Sequence, residues 1–125
     1  SISVVIPCFN EEKNLKKIIN KSIKFIQLVR NSEIIIVNNG STDNSLNILS
    51  NPNFKKIKNL KIINVKKNIG YGHGIKTGLK YSRKKYISWT HADLQCDIFD
   101  IKKGYKILKN KTTPLLLTFS SKMRD

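Results

Sequence analysis

Short apolar runs alternate along the chain with amphipathic stretches of helical period. A nearly continuous apolar run is typical of a strand that is covered on both faces. The predicted strands cover residues 2–7, 33–37, 60–65, 86–90 and 114–119. Strands that alternate with helices predict an α/β fold with three layers (α/β/α), a mostly parallel, twisted sheet and right-handed crossovers.

The helical period is clearest from Glu12 to Val29, where one face is apolar and the other carries lysines. The predicted apolar face consists of Leu15, Ile18, Ile19, Ile26 and Val29. Three further helices are predicted: one capped by Ser41 or Thr42 and reaching Leu49, one from the glycines at 70–74 to about Arg83, and one capped by Asp97 with Ile98, Ile101, Tyr105 and Leu108 on its apolar face. Residues 51–53 predict a break in the chain.

Polar residues follow three of the predicted strands at the point where each strand ends. They lie in segments 8–12, 38–43 and 90–95, and the first two lead into predicted helices. In an open parallel sheet, ligands bind at the carboxyl ends of the strands. The pattern therefore predicts a binding site on that edge of the sheet.

Segment 90–95 carries an imidazole, a carboxylate and an amide at alternate positions, namely His91, Asp93 and Gln95. An extended backbone would direct all three to one side. Such a set can hold a hard divalent cation and leave positions open for a diphosphate. The alternative is a polar turn at a strand end, with Asp93 as a local cap.

The glycines at 70, 72 and 74 invite comparison with a dinucleotide-binding fingerprint. That fingerprint belongs after the first strand and has a different glycine spacing, so we reject it here. Glycines at these positions instead allow a tight entry into a helix.

Four segments together resemble the N-terminal, donor-binding part of glycosyltransferase family 2 enzymes, which have the Rossmann-like GT-A fold of nucleotide-diphospho-sugar transferases. They occur in the same order as in the family. The segments most resemble those of the polyprenyl-phosphate and dolichyl-phosphate sugar synthases. The matching segments are 5–12, 36–43, 68–72 and 91–95.

The resemblance implies roles for individual residues. Asn39 stands where a base-contacting Asp is usual, and His91 replaces the first acid of the Asp-x-Asp metal motif. Asp93 matches the principal metal ligand, and Gln95 matches a further one. The implied nucleotide-binding positions are Pro7, Phe9, Asn10, Glu11, Asn38, Asn39, Ser41, Asn68, Gly70, Gly72, Ala92 and Asp93.

The implied reaction is inverting transfer of a hexose from a UDP- or GDP-linked sugar to a polyprenyl phosphate or a glycan, with Mn²⁺ or Mg²⁺ as cofactor. Residues 1–125 would form a single nucleotide-sugar-binding domain, with the catalytic base and the acceptor-binding part beyond residue 125. The isolated chain would then bind nucleotide with little turnover. The alternative is a degenerate binding domain, since amides and an imidazole replace acids at Asn38, Asn39 and His91.

The chain is strongly basic, with 24 Lys and Arg against 8 Asp and Glu, a net charge of +16 and a pI near 10.0. Only three of the basic residues are arginine, which disfavours a nucleic-acid partner. Solvation of the surface and peripheral attraction to an anionic membrane both remain open. We expect a cytoplasmic protein at the cytoplasmic face of a membrane, in cell-envelope glycan synthesis. Its two cysteines indicate neither a disulfide framework nor a zinc site.

Overall fold

Strands and helices alternate along the chain as the apolar runs predict. The computed structural model describes residues 1–90, 98–108 and 116–118. The elements are β1 (Ile2–Cys8), α1 (Leu15–Leu28), β2 (Ser32–Asn39), α2 (Ser45–Leu49), α3 (Pro52–Lys55), β3 (Leu60–Val65), α4 (Tyr71–Lys80), β4 (Tyr86–Trp89), α5 (Ile98–Leu108) and β5 (Leu116–Thr118).

The five strands form one sheet in the order β3-β2-β1-β4-β5. Each neighbouring pair is parallel, which confirms the predicted sheet type. The order runs outward from β1 to β3 on one side and from β4 to β5 on the other. A crevice at the carboxyl ends of β1 and β4 is therefore the expected ligand position, because the strand order reverses there.

Helices cover both faces of this sheet. On one face α1 and α5 contact each other, and α1 packs on β2 and β3. The core on this side contains Val4 and Ile6 of β1 together with Phe25 of α1. On the opposite face α4 packs on β1 and β2, over Val5 and Val37. The predicted three-layer α/β/α architecture is confirmed.

Helix α4 lies unusually close to the sheet because two of its residues have no side chain. A Cβ atom on Gly78 would lie 2.2 Å from Cγ1 of Val5, and one on Gly74 would lie 2.9 Å from Nδ2 of Asn39. Glycine at both positions lets the helix backbone approach the strands. The predicted tight entry is also present, since Gly70 precedes the helix with φ 120°.

The first helix differs from the prediction at its start and in its buried face. It begins at Leu15 rather than Glu12, because Glu11 accepts backbone hydrogen bonds from Asn14 and Leu15 in a turn. Phe25 is fully buried, whereas Ile26 is only partly covered. Ser22 also lies in the core, since its hydroxyl donates to the Ile18 carbonyl oxygen at 2.7 Å and leaves no polar group unpaired.

The predicted cap of α2 is wrong. Neither Ser41 nor Thr42 caps it; instead Oδ1 of Asp43 accepts a hydrogen bond from the backbone N–H of Ser45 at 2.9 Å. Ser41 and Thr42 pair with Asn10 instead.

The predicted break at 51–53 holds a short helix. Pro52 opens α3, where its fixed φ suits a first helical turn, and the Asn51 side chain accepts from the backbone N–H of Asn53.

The predicted cap of the last helix, Asp97, lies outside the described residues.

Other boundaries shift by a few residues. β2 extends through Asn38 and Asn39, β4 ends at Trp89, and β5 spans Leu116–Thr118. Helix α4 ends at Lys80 rather than near Arg83. The backbone N–H of Arg83 donates instead to the Glu33 carboxylate at 2.7 Å, which turns the chain toward β4.

Glu33 is a buried carboxylate near the amino end of β2, and only 3% of it is exposed. Its oxygens accept from the Ser3 hydroxyl at 2.5 Å and pair with Nζ of Lys61 at 3.1 Å, in addition to the bond from Arg83. Burial raises the pKa of this carboxyl, but the hydrogen bonds and the lysine outweigh burial and hold the pKa below its ordinary value of 4.5. Glu33 thus joins β1, β2, β3 and the α4–β4 turn.

Glu33→Gln is expected to lower the free energy of unfolding by about 2–3 kcal/mol at pH 7, because charge-assisted hydrogen bonds in a buried site are lost. A lowered carboxyl pKa stabilises the fold above the unfolded pKa, and that stabilisation is lost as the pH falls through the folded pKa. The wild-type chain should therefore lose this contribution below about pH 4.5, whereas the variant should not. Urea unfolding across this range measures both effects. Glu12→Gln removes the same charge from an exposed position, and equal losses in the two variants would contradict the assignment.

Candidate functional site

The carboxyl edge of the sheet carries the connections β1–α1, β2–α2 and β3–α4. Sequence reasoning assigned candidate residues to all three connections. In a parallel sheet such connections converge on one edge. The described part of the structure shows how each of them is held.

Asn10 joins the β1–α1 connection to the β2–α2 connection. It adopts a left-handed conformation with φ 53°, which asparagine tolerates better than most residues. Its backbone N–H donates to Oγ of Ser41 at 3.1 Å, and its Oδ1 accepts from the backbone N–H groups of Thr42 at 2.8 Å and Asp43 at 3.2 Å. The family resemblance predicts that Asn10 and Ser41 bind the nucleotide. In the structure they hydrogen-bond to each other and hold two connections together at the carboxyl edge of the sheet.

Asn39 joins the end of β2 to the β3–α4 connection. Its Nδ2 donates to the Gly70 carbonyl oxygen at 3.0 Å, and the Gly70 N–H donates to Oδ1 of Asn68 at 2.7 Å. An ionised aspartate at position 39 could not donate to a carbonyl oxygen. The amide therefore supplies a structural link that the carboxylate usual at this position would not supply.

Gly40 is the contact point between the β2–α2 and β3–α4 connections. Its φ is 69°, and a Cβ atom there would lie 2.3 Å from the backbone N of Asn68 and 2.6 Å from the carbonyl C of Lys67. Sequence reasoning used Gly40 only as the end of a strand. Its position after two asparagines signals a turn, but no sequence pattern indicates which backbone lies against it.

Three of the five unpaired buried side-chain oxygens in the described part of the structure lie at this edge, and the other two belong to Ser45 and Ser88. Among the described residues, Oδ1 of Asn38, Oδ1 of Asn39 and Oγ1 of Thr90 are buried and have no hydrogen-bond partner. Each of these residues is at most 3% exposed. Burying such a group without a partner costs about 1–3 kcal/mol. Unpaired polar atoms at the carboxyl ends of strands are compatible with a site that a ligand completes.

The other predicted nucleotide positions differ in exposure. Pro7 is buried, and a Cβ added to Gly74 would lie 3.4 Å from the Cβ of Pro7. The Phe9 ring is 44% exposed at the end of β1. Glu11 accepts a hydrogen bond from Nδ2 of Asn14 at 3.0 Å. Gly72 is exposed in the first turn of α4, and a Cβ there would meet open space.

Cys8 ends β1 close to this site but is unsuited to nucleophilic chemistry. Burial, and secondarily the Glu11 carboxylate, raise the pKa of its thiol to about 12. A thiol with this pKa is essentially never ionised at neutral pH. Cys8 is a free, buried residue that packs in the core.

The predicted metal ligands His91, Asp93 and Gln95 lie outside the described residues, as does Ala92. Thr90 immediately precedes them, and its backbone N–H donates to the Val5 carbonyl oxygen at 3.0 Å. Within the described ranges, no group of three His, Cys, Asp or Glu side chains could hold a metal ion. The metal site stays a prediction, at the point where β4 leads to the crevice beside β1.

A sequence model of the family described as "Glycosyl transferase family 2" matches residues 3–116. The chain belongs to glycosyltransferase family 2. The resemblance found in its four motifs is thereby confirmed. The match covers the described strands except Ile2 at the start of β1 and the last two residues of β5.

Curated relatives in this family include enzymes named for lipid phosphates. A dolichyl-phosphate beta-glucosyltransferase of Trichomonas vaginalis is 30% identical over 87% of this chain and 34% of its own length. One from Dictyostelium discoideum is 30% identical over 87% of this chain and 37% of its own length. A dodecaprenyl-phosphate galacturonate synthase of Rhizobium johnstonii is 26% identical over 99% of this chain and 37% of its own length. The chain thus spans about a third of the length of these relatives.

Solved structures confirm the α/β fold. The crystal structure of S. aureus TarS 1-349 has a TM-score of 0.69 and 23% identity, over 87% of this chain and 32% of that TarS fragment. The same TM-score and identity are found for its complex with UDP-GlcNAc. At this identity the likeness concerns the fold alone. In the part of this family 2 chain that the structure describes, no helix is long and apolar enough to cross a membrane.

Proposed function

We propose that this chain binds a nucleoside-diphosphate sugar at the carboxyl edge of its sheet, as the donor-binding part of a transferase that delivers a hexose to a polyprenyl phosphate or a glycan. The observation that carries this proposal is the set of buried, unpaired acceptors on Asn38, Asn39 and Thr90 at that edge. The names of the relatives support a lipid-phosphate acceptor, and the TarS complex supports a UDP-linked donor.

Asn39 is the residue that would read the base. Its Nδ2 already donates to Gly70, so its unpaired Oδ1 remains to accept a hydrogen bond. Uracil and guanine each offer a ring N–H donor on the Watson–Crick edge, and either would satisfy this oxygen. The exposed face of Phe9 at the end of β1 can stack on the base.

The diphosphate would lie toward the start of α4. The N–H groups of a first helical turn attract anions, and the first turn of α4 contains no acidic residue. Gly70 and Gly72 would let the phosphates approach the backbone closely. The charge of a diphosphate also matches the excess of lysine in this chain.

A divalent cation would be held by His91, Asp93 and Gln95. One imidazole, one carboxylate and one amide oxygen suit Mn²⁺ better than Mg²⁺, which prefers oxygen ligands. When bound, the cation would act as a Lewis acid on the leaving diphosphate. The reaction would be an inverting displacement at the sugar C1. We propose that the base and the acceptor contacts lie in the part of the relatives that this chain does not match, so residues 1–125 would bind nucleotide with little turnover.

We further propose that the protein acts at the cytoplasmic face of a membrane, in glycan synthesis for the cell envelope. Lipid phosphates, the acceptors in the relatives' names, reside in membranes. The net charge of +16 favours peripheral attraction to anionic lipid.

Calorimetric titration with UDP and with GDP, each in Mn²⁺ and in EDTA, tests the proposed donor site. We expect metal-dependent binding of one nucleotide. Absence of binding to both by a chain with a folded circular dichroism spectrum would refute the donor site.

A second candidate is a nucleotide-sugar-binding domain that has lost catalysis. It is favoured by Asn39, whose amide serves as a link to Gly70 where the family usually has an acid. This candidate predicts that nucleotide binds equally well in EDTA.

His91→Asp is expected to strengthen Mg²⁺-dependent nucleotide binding by about tenfold, because a carboxylate replaces a poor ligand for Mg²⁺. The calorimetric titration in Mg²⁺ measures this change. Asn20→Asp adds the same negative charge on the exposed surface of α1, away from the first turn of α4, and serves as the control. If neither variant changes the affinity, His91 does not contact the metal.

A further inference from the structure

The β3–α4 connection presents apolar side chains to solvent between lysines. We call residues Lys66–Tyr71 the presenting loop. Ile69 is 69% exposed and Tyr71 is 45% exposed, and the side chains of Lys66 and Lys67 are also exposed. A single exposed apolar residue is ordinary, but an isoleucine and a tyrosine beside two lysines form an amphipathic tip.

The presenting loop is held in place on both sides of Ile69. Before it, the backbone of Lys67 and Asn68 lies directly against Gly40. After it, Gly70 donates to Oδ1 of Asn68 and accepts from Nδ2 of Asn39. Because these contacts hold the backbone, the Ile69 side chain is directed outward by the fold. Phe9, 44% exposed, belongs to the same edge of the sheet.

Along the sequence, the loop lies within a long stretch in which all charged residues are basic. Between Asn44 and Ala92 the sequence has eleven lysines and arginines and no aspartate or glutamate. A surface that combines exposed apolar side chains with lysines is complementary to an anionic lipid interface, where lysines meet head groups and the apolar residues enter the acyl boundary. A nucleic acid would be met by arginine and stacked aromatic residues instead.

We propose that the presenting loop docks onto the surface of an anionic lipid bilayer, with Ile69 and Tyr71 in the interface and Lys66 and Lys67 on lipid phosphates. The β3–α4 side of the carboxyl edge then faces the membrane, beside the connections that carry Glu12 and Asp43. If the proposed function holds, on which this last step rests, the donor site opens toward the layer that contains a lipid-phosphate acceptor.

Co-sedimentation with vesicles tests the docking without any nucleotide. We expect the chain to bind phosphatidylcholine vesicles that contain phosphatidylglycerol, and to bind pure phosphatidylcholine much more weakly. Ile69→Ser should weaken the partition coefficient about tenfold. Joint Lys66→Ser and Lys67→Ser should weaken it about thirtyfold in low salt.

Two matched controls carry the same chemical changes away from the loop. Leu28→Ser alters a side chain that is 62% exposed. Leu28 is the last residue of α1, and this end of the helix lies at the amino edge of the sheet, opposite the presenting loop. Joint Lys55→Ser and Lys56→Ser removes an adjacent, exposed lysine pair shortly before β3 begins. Both controls should bind vesicles within about twofold of the wild-type chain.

Equal losses in the loop variants and their controls would show that binding does not depend on the presenting loop, and would overturn the proposal. So would loop variants that bind vesicles normally. Parallel titration with UDP and with GDP separates this proposal from the proposed function. If the chain binds vesicles through the loop but binds no nucleotide, the donor site fails and the docking surface stands.

Discussion

Gly40→Ala is expected to lower the free energy of unfolding by about 3 kcal/mol and to disrupt the carboxyl edge of the sheet. Two costs combine at this position. The backbone of Gly40 has φ 69°, where a Cβ is strained, and that Cβ would lie 2.3 Å from the backbone N of Asn68. Backbone cannot yield as a flexible side chain can, so the β3–α4 connection must move away. Urea unfolding measures the loss.

Gly70→Ala separates the two costs. Gly70 also has a positive φ, 120°, but a Cβ there would meet no atom within 4 Å. With ψ 162° this backbone lies in a region nearly restricted to glycine, so the variant should cost about 2 kcal/mol from strain alone. A third variant, Gly72→Ala, has open space around the new Cβ within helix α4 and should be neutral or slightly stabilising. If Gly40→Ala costs only about 1 kcal/mol, the strain of its left-handed backbone accounts for the whole loss, and contact with Asn68 is not what requires glycine at position 40.

Asp93→Asn is expected to weaken Mn²⁺-dependent nucleotide binding by about a hundredfold or more. The carboxylate is the only acid of the proposed ligand set, and even substitutions in the surroundings of a metal site commonly cost 10–100-fold. An amide keeps the shape but removes the charge that attracts the cation. Calorimetric titration in Mn²⁺ and in EDTA measures the effect, which should vanish in EDTA.

Asp100→Asn is the control for this variant. It removes the same charge a short distance along the chain, in helix α5, and lies outside the four family motifs. Nucleotide affinity in Mn²⁺ should be unchanged. If Asp93→Asn and Asp100→Asn behave alike, or if the wild-type affinity is the same in EDTA, the metal role of Asp93 is wrong and the degenerate binding domain is favoured.

The family and the architecture could be predicted because short sequence motifs indicate the family and short apolar runs indicate the strands. Strands β1 and β2 are buried on both faces, so nearly every position in them must be apolar or internally paired, and the run is visible in the sequence. Their burial also explains why the boundaries of β1 and β2 were predicted to within two residues. The polar segments that follow the strands identified the edge of the sheet at which a site would lie.

Local patterns were less informative where helix ends and caps depend on distant partners. Ser41 and Thr42 have the side chains of helix caps, but both are engaged by Asn10, some 31 residues earlier. Helix α4 stops at Lys80 because Glu33, which is 50 residues away from Arg83, holds the turn that follows. The spacing of apolar residues along the sequence contains no information about such distant pairs.

The sequence alone therefore determined the α/β class, the family and the residue types at the ends of the strands, since each of these follows from composition and order over a few neighbouring positions. Only the tertiary structure decided how those ends are joined: Asn10 to the 41–43 segment, Asn39 to Gly70, and Gly40 against Asn68. It also decided that Ile69 is directed into solvent. These features depend on which backbone segments meet at one edge of the sheet, and that is set by the packing of the whole sheet and its helices.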